Sequence, residues 1–219
     1  MSKPLCLVIG AGPGIGLATA RKFGQEGYEL ALLARRADQL GDYVQQLRQV
    51  GVTARAYPVD VADAAGLRQV LADVYRTQGE TRVLLYNAAA MRPGTALELT
   101  PDQLSQDLRV SVAGALVAVQ ELAPAMQKRR QGTLLFTGGG LALTPAFDYA
   151  SLSMGKAALR SLVLGLAQGL TKDGLRVHTI TVMGQVKEGT HFSPDHIAAQ
   201  YWRLHSQPTP APDAELVYR

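Results

Sequence analysis

Leu5-Cys6-Leu7-Val8-Ile9-Gly10-Ala11-Gly12-Pro13-Gly14-Ile15-Gly16 is the stretch that decides how this chain is read. Five apolar residues running into glycine describe a buried strand that ends in a tight turn. A helix is expected from about Gly14 to Glu26, stopped by Gly27. Glycines let the backbone turn sharply and come close to a ligand, and the helix start offers unpaired N–H groups and partial positive charge. A strand, a glycine turn and a helix in that order make a cradle for a pyrophosphate, with Gly10, Gly12, Gly14, Ile15 and Gly16 as the contact residues.

Outward from this unit, strands and helices alternate to the end of the chain. Strands are expected at Glu29–Ala34, Thr53–Val59, Arg82–Tyr86, Thr133–Thr137, Arg176–Val182 and, briefly, Glu215–Tyr218. Asp38 reads as the N-cap of a helix that carries Leu40, Tyr43, Val44, Leu47 and Val50 on one face, and Asp63 opens the next helix. Thr100-Pro101-Asp102-Gln103 is a capping box with proline at the first helical position. The helix it starts is expected to run towards Met126 and to bend at Pro124. A long helix covers about Ser151 to Leu170, and Ser193-Pro194-Asp195 starts another that ends near Leu204, ahead of a proline-rich tract at Gln207–Pro212. The fold class is therefore α/β: one Rossmann-type, doubly wound parallel sheet of about seven strands with helices on both faces, occupying residues 1–219 as a single domain. Ligands of such sheets bind beyond the carboxyl ends of the strands.

Composition narrows the function. The 219 residues carry a net charge of +4, but only Lys128-Arg129-Arg130 forms a basic run, so the charge reads as solvated surface and not as a nucleic-acid track. No uninterrupted apolar stretch approaches the ~20 residues of a membrane span. The single cysteine, Cys6, lies inside the first strand and reads as a buried thiol. No leader pattern precedes the first strand, and a cytoplasmic protein is expected. The four histidines and one cysteine lack metal-ligand spacing, so no metal site is expected. After the second strand, Ala34-Arg35-Arg36 stands where a carboxylate for an adenosine ribose would be. Two guanidiniums suit a 2′-phosphate, which points to NADP(H) over NAD(H).

Gly10-xxx-Gly14-x-Gly16, Asp60-Val61 after the third strand and Tyr86-Asn87-Ala88-Ala89 after the fourth resemble the short-chain dehydrogenase/reductase family across residues 4–219. The resemblance implies that Asp60 and Val61 meet adenine and that Asn87 and Ala88 lie along the cofactor. It also implies a catalytic Tyr-xxx-Lys pair, a serine at the end of the fifth strand and an asparagine on the helix before it. Lys156 matches the family lysine, which binds the nicotinamide ribose and favours the tyrosinate. The other three positions hold Leu152, Gly139 and Ser111. Leucine cannot carry a proton, so Tyr149, Ser153 and Ser111 are the candidates to replace the missing acid, with Tyr149 otherwise an ordinary loop or interface tyrosine. The segment that covers the substrate in this family is short here, about residues 184–194, and Val186, His191 and Phe192 are its contact candidates, His191 otherwise an exposed loop residue. Tyr201 and Trp202 read as packing residues of the helix and tail at 194–219. Small residues such as Ala113, Gly114, Ala118, Ala157 and Gly165 fit the family's dimer-forming helices, so a dimer or tetramer is expected. Two functions remain: an NADP(H)-dependent oxidoreductase acting on a small carbonyl or alcohol with a non-standard proton donor, or a catalytically silent NADP(H)-binding sensor or scaffold.

Overall fold

A computed structural model describes residues 3–208 and 213–219. Seven strands, β1 (Leu5–Ile9), β2 (Glu29–Ala34), β3 (Ala54–Pro58), β4 (Thr81–Tyr86), β5 (Gly132–Thr137), β6 (Leu175–Val182) and β7 (Glu215–Tyr218), form one sheet. Their order is β3-β2-β1-β4-β5-β6-β7 and every pairing is parallel. Strand order reverses between β1 and β4, so the crevice of a doubly wound sheet opens beyond Ile9 and Tyr86, which are paired in register. The tract at 209–212, within the proline-rich stretch, lies outside the described residues.

Period-two alternation along the strands builds two cores, one on each face. Leu5, Leu7 and Ile9 of β1 join Leu84, Tyr86, Leu134 and Phe136 beneath α3 (Ala64–Gln78), α5 (Gly114–Arg129) and α6 (Ala150–Leu170). Cys6 and Val8 join Leu32, Leu85, Leu135 and Ile180 beneath α1 (Ile15–Gln25), α2 (Ala37–Gln49) and α7 (Pro194–Ser206). Burial pushes the Cys6 thiol far above its usual range, consistent with a packing residue.

Caps match the sequence with one exception. Asp63 accepts from Ala65 N and Gly66 N, Thr100 and Gln103 close a reciprocal box at α4 (Pro101–Leu108), and Ser193 accepts from His196 N. Asp38 is not a cap: α2 starts at Ala37 with Arg36 at the N-cap position and no side-chain bond there. Only Arg35 and Arg36 separate the strand from the helix, which leaves Asp38 in the first turn, where its charge still suits the helix dipole.

The helix that starts at Thr100 runs on through Pro124 to Arg129 and carries a π-turn over Arg109–Ala113, between α4 and α5. Tyr86 explains its position. The fully buried phenol crosses the core and donates to Val110 O at 2.5 Å, inside the π-turn. Gly114 follows because a Cβ there would lie 2.9 Å from Val61 O and against the same hydroxyl. The continuous run Pro101–Arg129 is long and apolar enough to meet the criteria for a membrane span, which the count of uninterrupted apolar residues had excluded. Here it is a core helix, with Ala115, Ala118, Val119, Ala123 and Met126 buried against the sheet.

Removing the Tyr86 hydroxyl leaves the Val110 carbonyl without this donor. Tyr86→Phe is expected to lower unfolding free energy by about 1–2 kcal/mol in urea denaturation, whereas Tyr75→Phe, on the exposed side of α3, should change it by less than about 0.5 kcal/mol.

Candidate active site

The glycine turn is held from behind by the β4 loop. Gly10 has φ +84°, and a Cβ on it would lie 2.7 Å from Ala88 Cα and 2.8 Å from the Asn87 carbonyl carbon. Only glycine fits both the conformation and the space. Gly16 packs the helix onto the turn, since a Cβ there would stand 2.7 Å from Gly10 O. Gly14 has φ +133° with open space around it, and Gly12 is likewise unobstructed. These two positions leave the surface of the turn clear for an approaching ligand.

Asn87 ties the turn to the middle of the sheet. Its Nδ2 donates to Gly10 O at 2.9 Å, and its Oδ1 accepts from Thr137 Oγ1 at 2.8 Å. The Tyr201 hydroxyl of α7 lies 2.9 Å from Thr137 Oγ1 and 3.1 Å from Phe136 O. Tyr201, read as packing from sequence, is thus also the far end of a buried polar chain.

Two cavities meet along this line. The first, about 720 Å³, runs from Arg35 and Arg36 past Asp60 and Val61 to Gly10, Gly12 and Ala88. The second, about 550 Å³, lies beyond it and is lined by Ile15, Leu152, Lys156, Met183, Val186 and the Gly138-Gly139-Gly140 turn, among others. Asn87, Ala89 and Met91 line both, so they form one cleft across the carboxyl edge of the sheet. Most of the residues proposed from sequence for the cofactor are therefore assembled. Asp60 also accepts from Ala62 N at 3.0 Å, which shapes the turn after β3.

Lys156 is buried, and its Nζ donates to Thr137 O at 2.7 Å. Desolvation lowers its pKa from the usual lysine value to about 8. Among the described residues lining the second cavity, Lys156 is the only titratable side chain. Leu152, at the family's tyrosine position, lines the same cavity. At the serine position, a Cβ on Gly139 would lie an ordinary 3.5 Å from Lys156 Cε.

The other candidates for the missing acid stand elsewhere. Tyr149 is 40% exposed at the N-cap position of α6, pinned there by backbone pairing between Gly94 and its neighbours Asp148 and Ala150, and it does not line the cavity. Ser153 is turned to Ala146 N at 3.2 Å, and Ser111 to Ala90 N at 3.2 Å. Both serines are buried and serve the loops that frame the site. Of the substrate contacts, Val186 lines the cavity and the next two do not. His191 stacks on Tyr218 with ring centroids 4.5 Å apart, and Phe192 packs beneath Gly184 and edge-on to Tyr218. Aromatic contact with β7 draws both away from the cleft.

A cluster that sequence spacing did not reveal sits at the cleft's rim. Arg92 forms a two-pronged pair with Asp107, 2.7 and 3.0 Å, and Ser151 donates to the same carboxylate at 2.7 Å. The Arg92 guanidinium holds the buried Asp107 carboxyl below the usual range. The three residues come from the β4 loop, α4 and α6, so no local motif announces them. His178 and His205 lie at the opposite end of the sheet.

Comparison with known proteins agrees with this geometry. The short chain dehydrogenase family model matches residues 4–191. The 2,3-dihydro-2,3-dihydroxybenzoate dehydrogenase of Bacillus subtilis is 27% identical over 177 residues, 81% of this chain and 68% of that protein. A second curated oxidoreductase is covered over 66% of its length, so the chain spans about two thirds of these relatives. Among solved structures, a metagenomic short-chain oxidoreductase in complex with NADP superposes with a TM-score of 0.91 at 24% identity, covering 100% of this chain and 97% of that one. A 7α-hydroxysteroid dehydrogenase complexed with NADH and 7-oxoglycochenodeoxycholic acid superposes at 0.78 and 24% identity, covering 83% and 71%.

Because the unfolded chain keeps Lys156 protonated up to about 10.5 while the folded site releases its proton near 8, the unfolded state binds more protons between these values. Stability therefore rises with pH, by about 1 kcal/mol between pH 7 and 9 from this group. Urea denaturation at both pH values should show the rise in the native protein and its loss in Lys156→Met. The chain belongs to the short-chain dehydrogenase family.

Proposed function

We propose that the chain is an NADP(H)-dependent short-chain oxidoreductase that interconverts a small carbonyl compound and its alcohol, with Lys156 carrying the substrate proton. The observation that carries the reading is the single cleft, with two arginines at one end and one buried lysine in an apolar chamber at the other. The glycine turn fits a dinucleotide because Gly10 and Gly16 leave no room for a Cβ while Gly12 and Gly14 face open space. Gly10, Gly12, Gly14, Ile15 and Gly16 would hold the pyrophosphate side, Asp60, Val61, Asn87 and Ala88 the flanks, and Lys156 the ribose. Arg35 and Arg36 favour a 2′-phosphate. Relatives solved with NADP and with NADH support a nicotinamide dinucleotide of either kind, so the preference rests on the arginines.

When bound, the nicotinamide supplies or accepts the hydride. Lys156 Nζ, aimed by its bond to Thr137 O, donates a proton to the substrate oxygen in reduction and takes it back in oxidation. Leu141, Leu152, Val182 and Val186 keep water from that oxygen and strengthen the charge interaction. Self-association through α5 and α6, which expose Leu116 and Met154, and a cytoplasmic setting complete the reading. The second reading, a silent NADP(H)-binding sensor or scaffold, is favoured by Leu152 and Gly139, which take two hydroxyls out of the chamber.

Calorimetric titration should show tighter binding of NADPH than NADH, and Arg35→Ala should weaken NADPH about tenfold with NADH nearly unchanged. Tighter NADH binding by the native protein overturns the cofactor assignment.

Turnover separates the two readings. NADPH oxidation with a panel of aldehydes and ketones should fall about tenfold per pH unit above pH 8, as the Lys156 ammonium is lost, and Lys156→Gln should abolish it. If only the double variant Leu152→Tyr/Gly139→Ser turns over, the native chain is the silent binder.

A further inference from the structure

At the other end of the sheet, beneath the amino ends of β5 and β6, a third cavity of about 650 Å³ opens between the α5–β5 connection, the α6–β6 connection and the end of α7. Its volume is within the range of small-molecule sites, ~300–1,000 Å³. Arg130 and Arg176 line it, and Arg82 stands behind a third lining residue, Gln131. No Asp or Glu is among its described lining residues.

The partners of these arginines are neutral. Elsewhere in the described residues Arg21, Arg68, Arg76, Arg92, Arg129 and Arg160 each pair with a carboxylate. Arg82 instead donates to Gln131 Oε1 at 3.0 Å, Arg130 to Lys172 O at 3.1 Å and Arg176 to His205 O. Each bond ends on a neutral oxygen, and among the described residues none of the three guanidiniums forms a salt bridge, which leaves part of each fork uncommitted. Arg82 and Arg176 both bear on the Tyr28 phenol at the cavity wall. Asp173, in the α6–β6 connection, has its carboxylate engaged by Gln127 Nε2 at 2.6 Å.

The wall between them is polar. His205 lies 2.6 Å from the Tyr28 hydroxyl through Nε2 and 2.9 Å from Thr133 Oγ1 through Nδ1. Burial, with Arg176 adding to it, lowers the His205 pKa to about 4, so the ring is neutral at physiological pH and the charge of the cavity comes from the arginines. The two arginines that line the opening, with a third behind it, are like charges that an anion would relieve, and the cavity walls weaken solvent screening.

We propose that this cavity is a second ligand site, separate from the cofactor cleft, which takes a small oxyanion, a phosphate monoester or a polycarboxylate, between Arg130 and Arg176. Such groups accept the paired N–H donors that a guanidinium offers. The ligand reaches β5 and α7, the two elements that also carry Thr137 and Tyr201 at the other end.

The test is amide NMR titration of the full chain with inorganic phosphate and, separately, with citrate, at constant ionic strength. Saturable shifts at Gly132, Thr133 and Gly174 are expected with at least one of them, and the responding probe identifies phosphate or carboxylate as the preferred chemistry. Arg130→Asn, chosen because Arg130 has a left-handed φ of +53° that asparagine tolerates, and Arg176→Gln should each weaken binding at least fivefold. An unchanged amide spectrum before titration shows that each variant is folded. Shifts confined to Gly10–Gly16 and Arg35, shifts that do not saturate with either anion, or equal affinity in both folded variants would overturn the proposal.

Discussion

The contact between Gly10 and the Asn87–Ala88 backbone is the constraint on which the rest of the molecule depends. It brings the ends of β1 and β4 closer than any side chain permits, at the point where the order of strands reverses. Asn87 then spans the gap with its amide, one end on Gly10 O and the other on Thr137. Through Thr137 the same chain of bonds reaches Tyr201, so the glycine turn, the fifth strand and the last long helix share one buried network. Lys156 is fixed by the carbonyl of the same threonine. Buried polar groups linked in this way are satisfied together or strained together.

The chamber beside that network departs from the family in what it lacks. Leucine and glycine stand where hydroxyls are expected, and the nearby serines are bonded to loop amides. A lysine in such surroundings is no longer an ordinary cation. Burial lowers its hold on the proton, which leaves near pH 8. The apolar lining and the lowered lysine pKa therefore occur in the same chamber.

The alternation of strands and helices was legible because the inner strands face two helical layers, so their residues are mostly apolar, and because Thr100, Asp63 and Ser193 cap through bonds local in sequence. The glycine turn was legible for the same reason: its requirement is written in consecutive residues. Contacts between distant segments were not. Asp107 looks like any helix-surface acid until Arg92 and Ser151 converge on it. Tyr149 is seven residues from Lys156, a spacing that matches in a continuous helix, but the helix begins at Ala150. His191 and Phe192 lie in the right segment for substrate contact and are claimed by Tyr218 from the far end of the chain.

The π-turn at Arg109–Ala113 adds a residue to one turn of an otherwise regular rod. Each residue of an α-helix advances about 100° around its axis, so everything after the turn is out of phase with what precedes it. Asp107 before the turn, Ser111 within it and Ala115, Ala118 and Met126 after it are all buried. The wide turn takes up its extra residue locally, so both flanking helices keep their places against the sheet. Loss of one residue would close it to an ordinary turn and withdraw the carbonyl that the Tyr86 phenol meets.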